Sequence, residues 1–261
     1  MKLNNRILLT LFCFCLFHSN ASFGQVNTEN LRKTNLNNNG LSKTFRLNVG
    51  YFDGNSNYLK LDTNFRTDFV HDSYYAFGVV EYQRAVQNSK TFINKGFMHA
   101  RGIHQYSKYI KWELFLQKEF NEFILLNNRE LIGTGLRTSV FALSKKKDKL
   151  QKNFYVGIGL MWEHEEIDTD PVTETHIIRS TNYLTFLLKA DKKFNLGFTG
   201  YYQFDVERFS DYRLLAEARL QFKITENFAF NTSMNFRYDS EPPIAIKKHD
   251  LELSNGISIS F

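Results

Sequence analysis

Residues Phe194–Tyr238 contain three consecutive stretches, FNLGFTGYYQFDV (194–206), YRLLAEARLQFKI (212–224) and FAFNTSMNFRY (228–238). In the first, Phe194, Leu196, Phe198, Tyr202 and Phe204 alternate with Asn195, Gly197, Thr199, Gln203 and Asp205. In the second, Tyr212, Leu214, Ala216, Ala218, Leu220 and Phe222 alternate with Arg213, Glu217, Arg219, Gln221 and Lys223, and in the third Phe228, Phe230, Met234, Phe236 and Tyr238 alternate with Asn231, Ser233, Asn235 and Arg237. Period two makes each a strand with one apolar and one polar face. Strands of soluble sheets run roughly five or six residues. These are about twice that, with aromatics towards the ends of the apolar face, as in tilted strands crossing a bilayer, which need roughly 9–11 residues. An all-β fold follows: a single transmembrane, antiparallel, up-and-down β-barrel.

The same pattern extends outward from this core. Phe45, Leu47, Val49 and Tyr51 form an apolar face before Asp53-Gly54-Asn55, and Leu59, Leu61, Phe65 and Phe69 oppose Lys60, Asp62, Asn64, Arg66 and Asp68. Alternation weakens over 74–84 and 92–106, returns with Trp112, Leu114 and Leu116 against Glu113, Gln117 and Glu119, and continues through Ile132–Val140, Phe154–Trp162 and Ile178–Leu188. With Leu251–Phe261 this makes about twelve strands, an even count that places N- and C-termini together on the periplasmic side. Long connections are expected at Glu165–His176 and Asp239–Lys248, outside the cell, with mostly short turns on the other side.

The N-terminus has the features of a signal peptide over 1–24: Lys2 and Arg6, an apolar run Ile7–Phe17, and Ser22-Phe23-Gly24 before Gln25. Residues 25–41, rich in Asn and Thr, are expected to be a flexible periplasmic lead-in, and 42–261 the outer-membrane barrel. Both cysteines, Cys13 and Cys15, fall within 1–24, which leaves the remainder without disulfide or thiolate chemistry. Removing Lys2 and Arg6 from 33 basic residues against 27 acidic ones leaves a formal +4, too mild a balance to indicate nucleic acid. Leu253, Ile257, Ile259 and the terminal Phe261 resemble the signal read by the outer-membrane barrel-insertion machinery.

Several blocks carry a family resemblance. Leu47–Tyr51 with Asp53–Asn57, then Gln117–Phe120, Arg129–Arg137 and Phe154–Glu163, resemble salt-induced outer-membrane proteins, a domain-of-unknown-function family of bacterial outer-membrane barrels. The resemblance implies the barrel and the outer membrane of a Gram-negative-type bacterium. It implies no reaction.

Eleven charged residues are expected to point into the lumen: Arg66, Glu113, Glu119, Arg129, Arg137, Glu163, Arg213, Glu217, Arg219, Lys223 and Arg237. Mixed signs allow a salt-bridged plug of side chains or the eyelet of a narrow polar channel. Gly133-Thr134-Gly135 and Gly157-Ile158-Gly159 lie mid-strand on the inward face, where close packing explains them better than phosphate binding. Glu163–Glu166, Asp168, Asp170, Glu174 and His176 form an acidic stretch without calcium-loop or zinc spacing, read as a solvated external loop, with weak cation binding near lipopolysaccharide phosphates as the lesser alternative.

No catalytic set, cofactor or metal is expected. His99 and His104 sit on opposite faces of one strand with no serine motif beside them, which argues against a phospholipase-like enzyme. The functional expectation is a porin-like narrow channel for small polar solutes or ions. The alternative is a structural or surface-interaction barrel with a closed lumen. Expected partners are outer-membrane lipid, lipopolysaccharide and the insertion machinery, with a monomer as the assembly state.

Overall fold

A computed structural model of the chain describes residues 28–32, 39–54, 57–145, 150–190, 193–225, 228–243 and 246–259. Twelve strands form one antiparallel sheet in sequential order, as the alternation predicts. They are β1 (Gly40–Phe52), β2 (Tyr58–His71), β3 (Tyr74–Gln87), β4 (Lys90–Gln105), β5 (Ile110–Asn121), β6 (Leu126–Lys145), β7 (Leu150–Ile167), β8 (Thr173–Ala190), β9 (Phe194–Asp205), β10 (Tyr212–Lys223), β11 (Phe228–Asp239) and β12 (His249–Ile259). Among the described residues the ladders run from β1 to β12 without joining those two ends.

Two-residue turns link several strands. His71 pairs with Tyr74 across Asp72-Ser73, and Gln87 with Lys90 across Asn88-Ser89. Asp72, Asn88 and Ser89 take positive φ values of 47°, 50° and 63°. That left-handed geometry matches the turn to the twist of the flanking strands. The turn at Asp72 is held further by Asn39, whose Nδ2 donates to Asp72 Oδ1 at 3.0 Å.

The sheet curls, because side chains several strands apart meet on one face. Arg213 of β10 reaches Glu163 and Glu165 of β7, and Tyr183 of β8 reaches Glu113 of β5. The outer face exposes Phe45, Leu47, Trp112, Leu114, Ile132, Leu136, Ile158 and Leu160, among others. The inner face buries Glu113, Gln117, Glu119, Arg129, Arg137 and Glu163. Many charged side chains are thus buried on the inner face while large apolar ones stand exposed on the outer. Leu253, Ile257 and Ile259 are exposed on β12, while Phe261 and the expected signal peptide lie outside the described residues.

Three features depart from the sequence reading. Strands β3 and β4 alternate weakly because much of their inner face is itself apolar: Tyr75, Phe77, Val79 and Ile103 are buried together, beside His99 and Arg101. The stretch read as an external loop, Glu165–His176, is mostly strand, and β7 and β8 each run 18 residues and leave only 168–172 between them. The alternation there is Glu163 and Glu165 inward against His164 and Glu166 outward, charge against charge, so no apolar face announces it. The third concerns the lead-in. Thr28–Leu31 forms a short 3-10 helix with Thr28 and Glu29 buried, and Leu31 packs on the apolar patch of β3 and β4. Residues 28–32 of that lead-in are thus held within the curl by one apolar and several charged contacts.

Candidate functional site

The space inside the curl is organised in layers that follow residue position along the strands. At the level of Glu119, Arg129, Glu165 and Arg213, the inner face carries a chain of alternating charges. Glu119 pairs with Arg129, Arg129 with Glu165, and Glu165 with Arg213 at 2.8 Å. Arg213 pairs with Glu163 at 3.1 Å, Glu163 with Arg179 at 3.0 Å, and Arg179 with Asp211 at 3.1 Å. Arg213 also donates to Asp239 Oδ2 at 3.0 Å. Arg179 and Glu163 are each only 1% exposed. Charges so far from water persist only when each meets an opposite charge or a hydrogen bond. Here each link supplies one.

Above this chain lies a cavity of about 510 Å³, bounded by Arg129, Glu165, Arg179, Arg213 and Arg237 and by the loop at Pro242–Pro243 and Ile246–Lys248. Below it comes a layer of few charges. His99 Nδ1 lies 3.2 Å from Gln117 Oε1, and Phe115, Leu131 and Met161 fill the neighbourhood of a cavity of about 40 Å³. The glycines belong to this packing. A Cβ on Gly133 would lie 2.2 Å from the Phe115 ring, and one on Gly157 would lie 2.1 Å from the Tyr183 ring. Gly135 and Gly159 face each other across the ladder, where a Cβ on Gly135 would meet the Ile158 carbonyl at 2.7 Å. These positions admit aromatic rings and close backbone contact, consistent with the packing explanation.

A second charged layer surrounds Glu29. Its carboxylate receives Arg32 at 2.9 Å, Arg101 at 3.1 Å and Arg137. Glu113 joins the same group through Arg32 at 2.7 Å and Arg101 at 3.0 Å. Arg101 Nη2 donates to Thr28 Oγ1 at 2.7 Å, and the Arg137 guanidinium lies 4.1 Å over the Tyr155 ring. Beneath this clamp a cavity of about 130 Å³ is lined by Arg32, Arg137, Glu217 and Arg219.

The eleven expected lumen residues therefore occupy different settings. Glu119, Arg129, Glu163 and Arg213 form the upper chain, and Glu113 and Arg137 the lower clamp. Arg66 pairs with Asp68 at 2.6 Å, near Tyr75. Glu217 and Arg219 pair at 2.6 Å on the inner face of β10, where the Arg219 side chain is 65% exposed. Arg237 lies 4.0 Å from Asp250, and Lys223 is half-buried at the end of β10. The sequence reading missed Arg101, Arg179, Asp211, Glu29 and Arg32, and assigned Glu165 to a loop. Arg101 and Arg179 do hold inward positions by parity, at Met98-His99-Ala100-Arg101 and Ile178-Arg179-Ser180, which is the signal that could have found them.

A family model described as "Protein of unknown function, DUF481" matches residues 46–261. No curated protein matches the chain. Among solved structures, a NanC porin in a rhombohedral crystal form is similar to 85% of this chain over 100% of its own, at 11% identity and a TM-score of 0.44.

Proposed function

We propose that this chain, which belongs to the DUF481 family of proteins of unknown function, is an outer-membrane β-barrel closed at rest by its own N-terminal segment. In this reading small polar solutes or ions find a narrow path only when that segment leaves. The observation that carries the reading is Glu29, a buried carboxylate on a short 3-10 helix, gripped by Arg32, Arg101 and Arg137 inside the curl. A plug held by ion pairs is a device suited to release, since its contacts exchange for hydration. The resemblance to salt-induced outer-membrane proteins supports the same compartment, with lipid and lipopolysaccharide against the outer face, and the even number of strands supports both termini on the periplasmic side. Spanning a bilayer requires β1 and β12 to meet, because unpaired backbone groups in hydrocarbon cost several kcal/mol each.

The second reading, a closed structural or surface-interaction barrel, is favoured by the alternating chain from Glu119 to Asp211, which joins five strands and a loop. Planar-bilayer recording separates the two. The full mature chain should be silent or open rarely, and deletion of 28–32 should raise the open fraction by at least tenfold. Silence in both would support the structural reading. Sustained acyl hydrolysis by the same preparation would overturn both in favour of a phospholipase.

Membrane insertion has its own test. Ala218 faces outward on β10, and Gln221 faces inward between Asn195 and Asn231, each at 3.0 Å. Ala218→Arg should cost about 2–4 kcal/mol if it lies near the bilayer midplane. Gln221→Arg should assemble with much smaller loss, as measured by the fraction of heat-modifiable, SDS-resistant barrel. Equal tolerance would contradict the lipid-facing assignment.

A further inference from the structure

The outer end of the β7–β8 hairpin holds a group of side chains that neither the charge layers nor the plug employs. His164 and His176 are direct partners in the ladder, and Glu166 pairs with Glu174 two positions nearer the turn. The two imidazoles are stacked with centroids 4.4 Å apart and planes 6° from parallel. Each turns its Nε2 to the same oxygen, Glu174 Oε1, at 3.0 Å from His164 and 3.2 Å from His176. Trp162 stacks against both rings, at 6.0 and 6.1 Å, and fixes their planes from one side.

We propose that His164, Glu174 and His176 bind one divalent transition-metal ion, with zinc the closest match to the donor set. Zinc bonds to imidazole nitrogen and carboxylate oxygen are about 2.0–2.2 Å, so neighbouring ligand atoms of a tetrahedral site stand about 3.3–3.5 Å apart. The two nitrogen–oxygen separations already fall close to that edge length, and the three ligand atoms lie within 4.8 Å of one another. Small rotations of side chains mounted on paired strands would bring them onto an ion.

The surroundings match a metal site as well. Glu130 Oε2 lies 3.9 Å from His164 Nδ1, and Glu130 is itself held by Lys118 at 2.5 Å. That separation exceeds a hydrogen bond, so Glu130 would orient the ring and raise its basicity only after closing by about 1 Å. Glu166 Oε1, 3.9 Å from His164 Nε2, is placed to take a fourth position, which water or a phosphate oxygen could also fill. Two imidazoles among the donors select against calcium and magnesium, which take oxygen ligands. An ion bound there would tie β7 to β8 just before the loop at 168–172. The site needs only the folded hairpin, so it stands whether or not the barrel conducts. The sequence reading expected no metal, with weak cation binding in this acidic stretch as the lesser alternative; it had no signal for the site, because residues ten and twelve positions apart met only through strand pairing.

Untagged full-length protein folded in detergent tests the site by competition for zinc against a chromogenic chelator. One zinc per chain is expected, with affinity reduced at least 100-fold in His176→Gln and in Glu174→Gln. Glu130→Gln should lose roughly tenfold, in the range typical of partners behind a ligand. His176 and Glu174 are both more than half exposed, so their variants should keep the heat-modifiable gel shift of the folded chain. Zinc X-ray absorption should show imidazole scattering that weakens in His176→Gln. Absence of saturable binding at one ion per chain, or zinc affinity unchanged in both His176→Gln and Glu174→Gln, would overturn the proposal. So would calcium displacing zinc at equal concentration.

Discussion

Arg213→Ala is expected to destabilise the folded sheet by about 3–5 kcal/mol, the range for removing one partner from a buried ionic group. Arg213 is the hub of the upper charge chain. Its Nη1 donates to Glu163 Oε2 at 3.1 Å and Glu165 Oε1 at 2.8 Å, its Nη2 to Glu165 Oε2 at 3.0 Å, and its Nε to Asp239 Oδ2 at 3.0 Å. Alanine would leave Glu163 with Arg179 and Glu165 with Arg129, each pair short of one cation. Lysine should rescue poorly, because a point charge cannot reproduce the planar fork that serves three carboxylates. Denaturant unfolding in detergent micelles measures the loss. Adding Glu165→Gln to Arg213→Ala should recover part of it, with a coupling of about 0.5–3 kcal/mol for residues in one network. A single-variant loss under about 1 kcal/mol would mean that water, not Arg213, solvates these carboxylates.

Acid should release the N-terminal segment, but only well below neutrality. Burial alone would raise the Glu29 carboxyl, yet Arg32, Arg137 and Arg101 together hold it at about 2, below its ordinary 4.5. A carboxyl depressed in the docked state favours docking fully above its ordinary value, and that contribution fades as pH falls through the docked value. Opening frequency in planar bilayers should therefore stay flat from pH 7 to about 4.5, then rise steeply towards pH 2. Glu29→Gln should open readily at pH 7, because Arg32 and Arg101 would then keep Glu113 as their shared carboxylate while Arg137 loses its pairing with Glu29, and its openings should lose the acid dependence. Openings that begin near pH 6 and persist in Glu29→Gln would assign the response to histidines instead.

The strands from Phe194 to Tyr238 could be read from sequence alone and match β9, β10 and β11 closely. Alternation is a local property: a strand with hydrocarbon or solvent on one face and a polar interior on the other writes both environments into neighbouring residues. The same logic placed Glu113, Glu119, Arg129, Arg137, Glu163 and Arg213 on the inner face. It faltered where the two faces carry the same kind of residue. Around Phe77 and Ile103 both faces are apolar, and around Glu163–Glu166 both are charged, so neither β3–β4 nor the β7–β8 rim could be assigned from contrast. Partnership was decided only by the tertiary structure. Glu29 and Arg137 are 108 positions apart, Arg101 and Glu29 72, and Arg213 and Glu163 50. Whether such charges line a wet path or neutralise one another depends on distances of a few ångström across the curl, and those arise only when strand register and curvature bring distant segments together.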